Sequence, residues 1–251
     1  MVMKAKLLKL EDVKYMDLSN FIFERKFDGS RTLLRSGRLV SDKRDGFKNE
    51  RYLNVVKALQ GINATLDGEL WVEADRVTEL SKKENWDSAV FMVFDILEKD
   101  GQDLTQLPLK ERRKILEDLN IENDYVKLTE QFTDDFETLW KNVENLKWEG
   151  LIAKDINSTY ADKRSPLWFK LKRYEEVVVT IDEWEQGKNH GVFICNDGVI
   201  NDIRVSTLST QYVDEYLKAK ENNKVVKMEL QYLNKTTTGH YFQPCLKRLI
   251  L

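Results

Sequence analysis

The chain has 251 residues, 41% hydrophobic and 33% charged, enough for one large domain or a large and a small one around a sizeable core. No apolar run approaches a bilayer span, the lysine-broken start is not a secretory signal, and Cys195 and Cys245 give neither a disulfide framework nor a zinc site. A monomer in a reducing cytoplasm, away from membranes, is expected. The net charge of −3 argues against an anionic partner until its distribution is read. Residues 115–137 set Glu117, Asp118, Glu122, Asp124, Glu130, Asp134, Asp135 and Glu137 against Lys127, which reads as a solvated helical face. Residues 163–173 hold Lys163, Arg164, Lys170, Lys172 and Arg173 with no acid. Local field, not net charge, steers an anion.

In chain order, Phe21–Phe27 and Thr32–Arg35 read as a strand pair flanking the turn signal Asp28-Gly29, with a short strand near Leu39-Val40. Glu50–Gln60 carries a helical apolar stripe ended by Gly61. Ala64–Val72 and Ala89–Leu97 are strands, the second apolar enough for burial on both faces. Helices follow at Pro108–Leu119, with proline near the first turn, and at Asp134–Lys147. Gly150–Lys154 and Leu167–Lys172 are short strands. The result is an α+β domain of antiparallel sheets with flanking helices over residues 1–173. From 174 to 251 the texture changes to strands at Val177–Trp184, Val192–Cys195, Val199–Val205, Val225–Leu233 and Tyr241–Ile250, with one helix at Leu208–Lys220. About five strands and one helix form the pattern of a small OB-fold β-barrel. A hinge is expected near Lys172–Glu176.

Chemistry concentrates in a few runs. A lysine amine is nucleophilic only when unprotonated, and free lysine is protonated at neutral pH. In Glu24-Arg25-Lys26-Phe27-Asp28-Gly29-Ser30-Arg31, strand alternation sends Glu24, Lys26 and Asp28 to one side, and Gly29 permits a sharp turn. Arg31 can then swing back toward a phosphate that Lys26 attacks, while neighbouring cations and partial burial would free the lone pair. The alternative is an exposed hairpin with a charged edge. Asp67 and Glu69 share one strand face, and Glu149 precedes a buried-looking strand. Hard divalent ions use one or two carboxylates with phosphate oxygens and water, so Glu69 and Glu149 suit Mg²⁺, although each alone is more simply a strand-edge acid. Phe91 reads as core, whereas Phe94 can offer its ring to a base. Lys170 and Lys172, two cations on one face of Trp168-Phe169-Lys170-Leu171-Lys172, want an anion. Arg44 lies in another turn, Arg44-Asp45-Gly46. His190 and His240 sit in polar contexts that give histidine catalysis no support.

Taken together, Lys26-x-Asp28-Gly29-x-Arg31, Asp67-Gly68-Glu69, Phe91-x-x-Phe94-Asp95, Glu149-Gly150-Leu151-Ile152-x-Lys154 and Trp168-x-Lys170-x-Lys172 resemble motifs I, III, IIIa, IV and V of ATP-dependent DNA ligases, in the covalent nucleotidyltransferase superfamily. The resemblance runs from about Phe21 to the C-terminus. It implies an adenylation domain followed by an OB domain, in the minimal form with no separate N-terminal DNA-binding domain. It further implies that Lys26 attacks ATP and holds AMP, which passes to the 5′-phosphate of nicked duplex DNA before the 3′-hydroxyl seals the strand. Asp28 belongs to that catalytic set, and Glu24 to the nucleotide-binding set. Phe94 takes the adenine stack, Glu69 and Glu149 the ribose or a metal (Mg²⁺, with Mn²⁺ as a substitute), and Lys170 and Lys172 the AMP phosphate. Arg31 faces the nucleotide and the nick ends, and Arg44 the 5′-phosphate. One departure is plain: the family's Arg-x-Asp-Lys element near the C-terminus is missing, and Lys247 or Arg248 would have to replace it. RNA ligases and capping-type nucleotidyltransferases share the superfamily, and a non-catalytic OB protein is the rival outside it. The intact Lys26, Glu69, Glu149 and Lys170 argue against that last reading.

Overall fold

A computed structural model describes residues 2–41, 49–74, 76–187, 190–236 and 238–251. Two units divide the chain, Met1–Lys172 and Arg173–Leu251. The first runs β1 (Lys4–Leu7), β2 (Phe21–Lys26), β3 (Ser30–Arg35), β4 (Arg38–Ser41), α1 (Leu53–Ala58) and β5 (Ala64–Trp71). It continues with α2 (Val77–Leu80), β6 (Val90–Lys99), β7 (Gln102–Asp103), α3 (Leu109–Glu117) and β8 (Val126–Leu128). It ends with β9 (Gln131–Phe132), α4 (Phe136–Asn145), β10 (Gly150–Asp155) and β11 (Arg164–Lys172).

These strands form two sheets. One has the order β1-β11-β10-β2-β9, antiparallel except for the parallel pair β1 and β11. The other has the order β4-β3-β5-β6-β7, with β8 parallel to β6. The expected strand pair around Asp28-Gly29 therefore does not form. β2 pairs with β10 and β9, while β3 pairs with β4 and β5. The Phe27–Gly29 segment carries the chain from one sheet to the other, and an Asp-Gly signal marks a change of direction without fixing which strands then pair. Gly29 serves close approach here, because a Cβ at that position would overlap the Leu70 carbonyl.

Alternation along the strands sorts the side chains into three apolar layers. Phe23, Leu151, Ala153 and Leu171 face α4 and pack on Leu139, Trp140 and Val143. Ile22, Leu33, Phe94, Tyr160 and Trp168 fill the space between the sheets. Leu66, Leu70, Phe91 and Val93 pack on the far side of the second sheet with Val55 and Leu116. Phe91 is thus core, as expected. The Glu50–Gln60 helix is shorter than its stripe, because Asn49–Arg51 forms a 3-10 turn before α1. The acidic block is not one helical face. It runs through the end of α3, β8, β9 and the start of α4, where Asp135 caps the helix by accepting from Thr138 N at 2.9 Å.

The second unit comprises β12 (Glu175–Gln186), β13 (Gly191–Asn196), β14 (Ile203–Thr207), α5 (Thr210–Glu221), β15 (Lys227–Tyr232), β16 (Asn234–Lys235), β17 (Tyr241–Phe242) and β18 (Cys245–Ile250). Its antiparallel sheet has the order β14-β13-β12-β15-β18, and Cα atoms of β14 and β18 approach within 8 Å, so the sheet curls toward a barrel. Asp197 accepts from the amides of Val199 (2.9 Å) and Ile200 (2.6 Å). That Asx-type turn delays β14 past the expected start at Val199. Gln243, at φ +53°, interrupts the expected strand Tyr241–Ile250 and splits it into β17 and β18.

Candidate active site

Three neighbouring strands bring the predicted residues together. Cross-strand register places Lys26, Gly150 and Lys172 in one row, Glu24, Ile152 and Lys170 in the next, and Ile22, Lys154 and Trp168 in the third. Alternation sends all three rows toward the second sheet. Glu149, one residue before β10, accepts from the Lys26 amine at 2.5 Å and meets the Lys172 amine at 3.4 Å, so one carboxylate bridges two cations. Gly150 makes the crossing possible, since a Cβ there would overlap the Leu171 carbonyl.

Deeper in, Glu24 is buried and fully engaged. It accepts from Lys154 Nζ at 2.6 Å, Thr129 Oγ1 at 3.0 Å and Gln131 Nε2 at 3.1 Å. From the opposite sheet, Arg31 donates to both oxygens of Asp67 at 2.5 and 2.6 Å. Asp67 also accepts from the Tyr160 hydroxyl at 2.6 Å, and that hydroxyl accepts from Met3 N at 3.1 Å. Burial works against the Arg31 charge, but Asp67 more than offsets it and raises the pKa. The Arg31 guanidinium and the Lys154 amine each lie 4.4 Å from the centre of the Phe94 ring. Phe94 thus stands between the two sheets with a cation from each against it.

These groups wall a cavity of about 280 Å³ lined by Glu24, Lys26, Arg31, Glu69, Phe94, Lys154 and Lys170, together with Val2, Lys4, Thr129, Arg164 and Trp168. Burial pushes the Glu69 carboxyl up to about 8, with Lys26 and Arg31 opposing and Glu149 and Asp67 adding to the rise. No hydrogen bond or ion pair from another described residue reaches the Glu69 side chain. Burial lowers the Lys170 pKa, and the nearby Lys172, Lys26 and Arg164 lower it further. No cluster of three or more His, Cys, Asp or Glu side chains fit for a metal exists among the described residues. A proton-hungry carboxyl beside a second one does fit a hard divalent ion that completes its shell with phosphate and water.

Asp28 lies in the bend after β2, which ends at Lys26, so the alternation expected to align it with Glu24 and Lys26 does not extend that far. It is not among the cavity-lining residues. Arg44 lies outside the described residues. Lys247 pairs with Glu176 at 2.7 Å and Arg248 with Glu229 at 2.6 Å, within the second unit.

A sequence profile for the ATP-dependent DNA ligase domain matches residues 2–172. The chain belongs to this ligase family. It is 34% identical to a DNA ligase of Methanocorpusculum labreanum over 136 residues, covering 50% of this chain and 24% of that one. It is 26% identical to the bifunctional non-homologous end joining protein LigD of Bacillus subtilis, over 87% of this chain and 41% of that one. The chain therefore spans about a quarter and two fifths of the lengths of these two curated relatives. Among solved structures, a Lig E DNA ligase superposes over 100% of both chains with a TM-score of 0.72 at 18% identity. A mycobacterial DNA ligase D complexed with ATP gives 0.60 at 23% identity, over 99% of this chain and 94% of that one. These likenesses share the fold. Within the ligase fold, three polar residues had no sequence signal. Thr129 and Gln131 sit in the acidic block and hold Glu24, and Tyr160 supports Asp67 from a loop between β10 and β11.

Proposed function

We propose that the chain is an ATP-dependent DNA ligase that seals 5′-phosphate/3′-hydroxyl nicks in duplex DNA through a lysyl-AMP at Lys26 and a DNA-adenylate. The observation that carries this is the Lys26 amine on a cavity wall, bonded to Glu149 and flanked by Lys170 and Lys172 on the same sheet face. In the first step the Lys26 lone pair forms an N–P bond to the α-phosphorus of ATP, and the bond to the α,β-bridging oxygen breaks. Pyrophosphate leaves with that electron pair, and Glu149 is positioned to take the amine's proton. AMP is then passed to the 5′-phosphate of the nick, and the 3′-hydroxyl displaces it.

All three steps move negative charge through phosphorus, so positioning and cations do most of the catalysis. Lys170 and Lys172 supply charge for the AMP phosphate, and Arg31, held rigid by Asp67, supplies it from the facing sheet. Phe94 offers ring surface to adenine, and Glu24 belongs to the wall around it. Glu69 and Glu149 would hold Mg²⁺ or Mn²⁺, which supplies charge neutralisation when bound. Asp28 supports the turn that carries Lys26 toward Arg31. Arg44 is assigned to the 5′-phosphate on its motif alone. The two units serve as adenylation and OB domains. Intact-mass measurement after incubation with ATP and Mg²⁺ tests the reading: one added AMP on the wild-type protein is expected, and its absence would refute the function.

A further inference from the structure

ATP brings more negative charge than its α-phosphate, and the departing pyrophosphate needs cations of its own. Three cations of the cavity are already matched by a carboxylate: Lys26 by Glu149, Arg31 by Asp67 and Lys154 by Glu24. Lys170 and Arg164 line the same cavity, and no carboxylate among the described residues pairs with either. Arg164 opens the nine-residue β11 and is six positions before Lys170, but a bulge shortens the path. β1 spans in three steps, Lys4 to Leu7, what β11 spans from Arg164 to Lys170. Three strand steps are roughly 10 Å, within reach of a long side chain. The depression of the Lys170 pKa by Arg164 agrees with that proximity. Lys4 stands opposite Arg164 in the parallel register and lines the cavity as well.

We propose that Arg164, with Lys4 beside it, is the subsite for the β- and γ-phosphates of ATP and holds pyrophosphate as it leaves. This rests on the reading of Lys26 as the nucleophile toward ATP. It also answers the missing C-terminal motif from within the first unit, because Lys247 and Arg248 already have carboxylate partners in the second. As the N–P bond to Lys26 forms and the α,β-bridging P–O bond breaks, charge collects on the leaving oxygens, where Arg164 and Lys4 offset it.

The test is the double variant Lys4→Ala/Arg164→Ala, with three measurements: AMP loading against ATP concentration, release of AMP from the loaded protein by inorganic pyrophosphate, and single-turnover sealing of a pre-adenylated nick. The ATP and pyrophosphate concentrations giving half-maximal rate should each rise roughly ten- to hundredfold, the scale of one charged hydrogen bond. Sealing of the pre-adenylated nick should stay within about twofold of wild type, which also reports an intact fold, and Arg164→Lys should recover part of the loss. Unchanged ATP and pyrophosphate dependence would overturn the proposal. Equal slowing of pre-adenylated sealing, or loss of all three activities, would overturn it too, assigning these cations to DNA phosphates or to folding. A wild-type protein that takes up no AMP would instead refute the ligase reading.

Discussion

Lys26 and Glu69 show how one burial environment serves two residues differently. Lys26 meets a carboxylate at 2.5 Å, and no second residue of the described chain places an amine in that row without a strand between. Lys26→Ala should therefore abolish AMP loading and nick sealing while leaving the fold intact, since the side chain packs no core. Retention of label from α-³²P-ATP at the normal rate would show that another group is the nucleophile. Glu69 has no such partner, and burial raises its carboxyl from 4.5 to about 8. The sign follows from proton binding: between those values the unfolded chain releases a proton that the folded one keeps. Glu69 thus favours folding below about pH 4.5, and that contribution is lost as pH rises toward 8. Without nucleotide and metal, Glu69→Gln should flatten this slope and stabilise the protein at about pH 8 by up to roughly 4 kcal/mol. Urea unfolding at about pH 5 and pH 8 measures it, and a variant with the wild-type slope would remove Glu69 as the cause.

At the scale of elements, close approaches and a buried ion pair hold the site's walls together. A Cβ on Gly29 would overlap the Leu70 carbonyl and crowd Glu69, whereas one on Gly37 would meet nothing within 4 Å. Gly29→Ala should cost ~1–3 kcal/mol and slow AMP loading by displacing Lys26. Gly37→Ala, strained only by its φ of +70°, should cost about 1 kcal/mol and leave loading unchanged. α3 is tied to β6 by Arg112, which is wholly buried and donates to both oxygens of Asp95 at 2.8 Å. Arg112→Ala would strand that carboxylate, so a loss of ~3–5 kcal/mol in denaturant stability is expected. A loss under about 1 kcal/mol would mean that water or a neighbour takes the place of Arg112.

The same elements show what sequence reading reaches. β2, β5, β6, β10 and β11 are legible because their apolar runs are buried, in much of β5 and β6 on both faces. Alternation also separated Phe91, in the outer core, from Phe94, at the cavity. Sheet membership was not visible, since a turn signal between β2 and β3 says nothing about long-range partners. β1 was missed because Lys4-Ala5-Lys6-Leu7 is largely exposed, and its partner β11 lies more than 150 residues away. Arg112 was missed because a lone arginine in a charged helix carries no mark of burial. Lys26, Glu69, Glu149, Lys170 and Lys172 stand out in the sequence because their types and spacing suit phosphate and metal chemistry.

For the whole molecule, a net charge of −3 and a phosphate-rich substrate are reconciled by where the charges lie. Acids in the 115–137 block are spent locally: Asp135 caps α4, and Glu122 accepts from Leu128 N at 3.0 Å. Cations gather along β11 and the cavity, where Lys4, Lys26, Arg164 and Lys170 share one wall. A nick brought to Lys26 is expected to dock its phosphates on Arg31, Arg44, Lys170 and Lys172, not on Lys4 and Arg164, releasing counterions as they bind. With about four phosphate contacts, nick affinity should fall roughly a hundredfold between 50 and 200 mM salt. The loading reaction needs no DNA, so its rate should change much less over the same range, and the two responses can be compared on one preparation. Removing Lys170 should reduce the salt slope for nick binding by about one contact. If nick affinity proves flat while loading is normal, the nucleotide chemistry stands and DNA is gripped by surfaces away from the β11 wall.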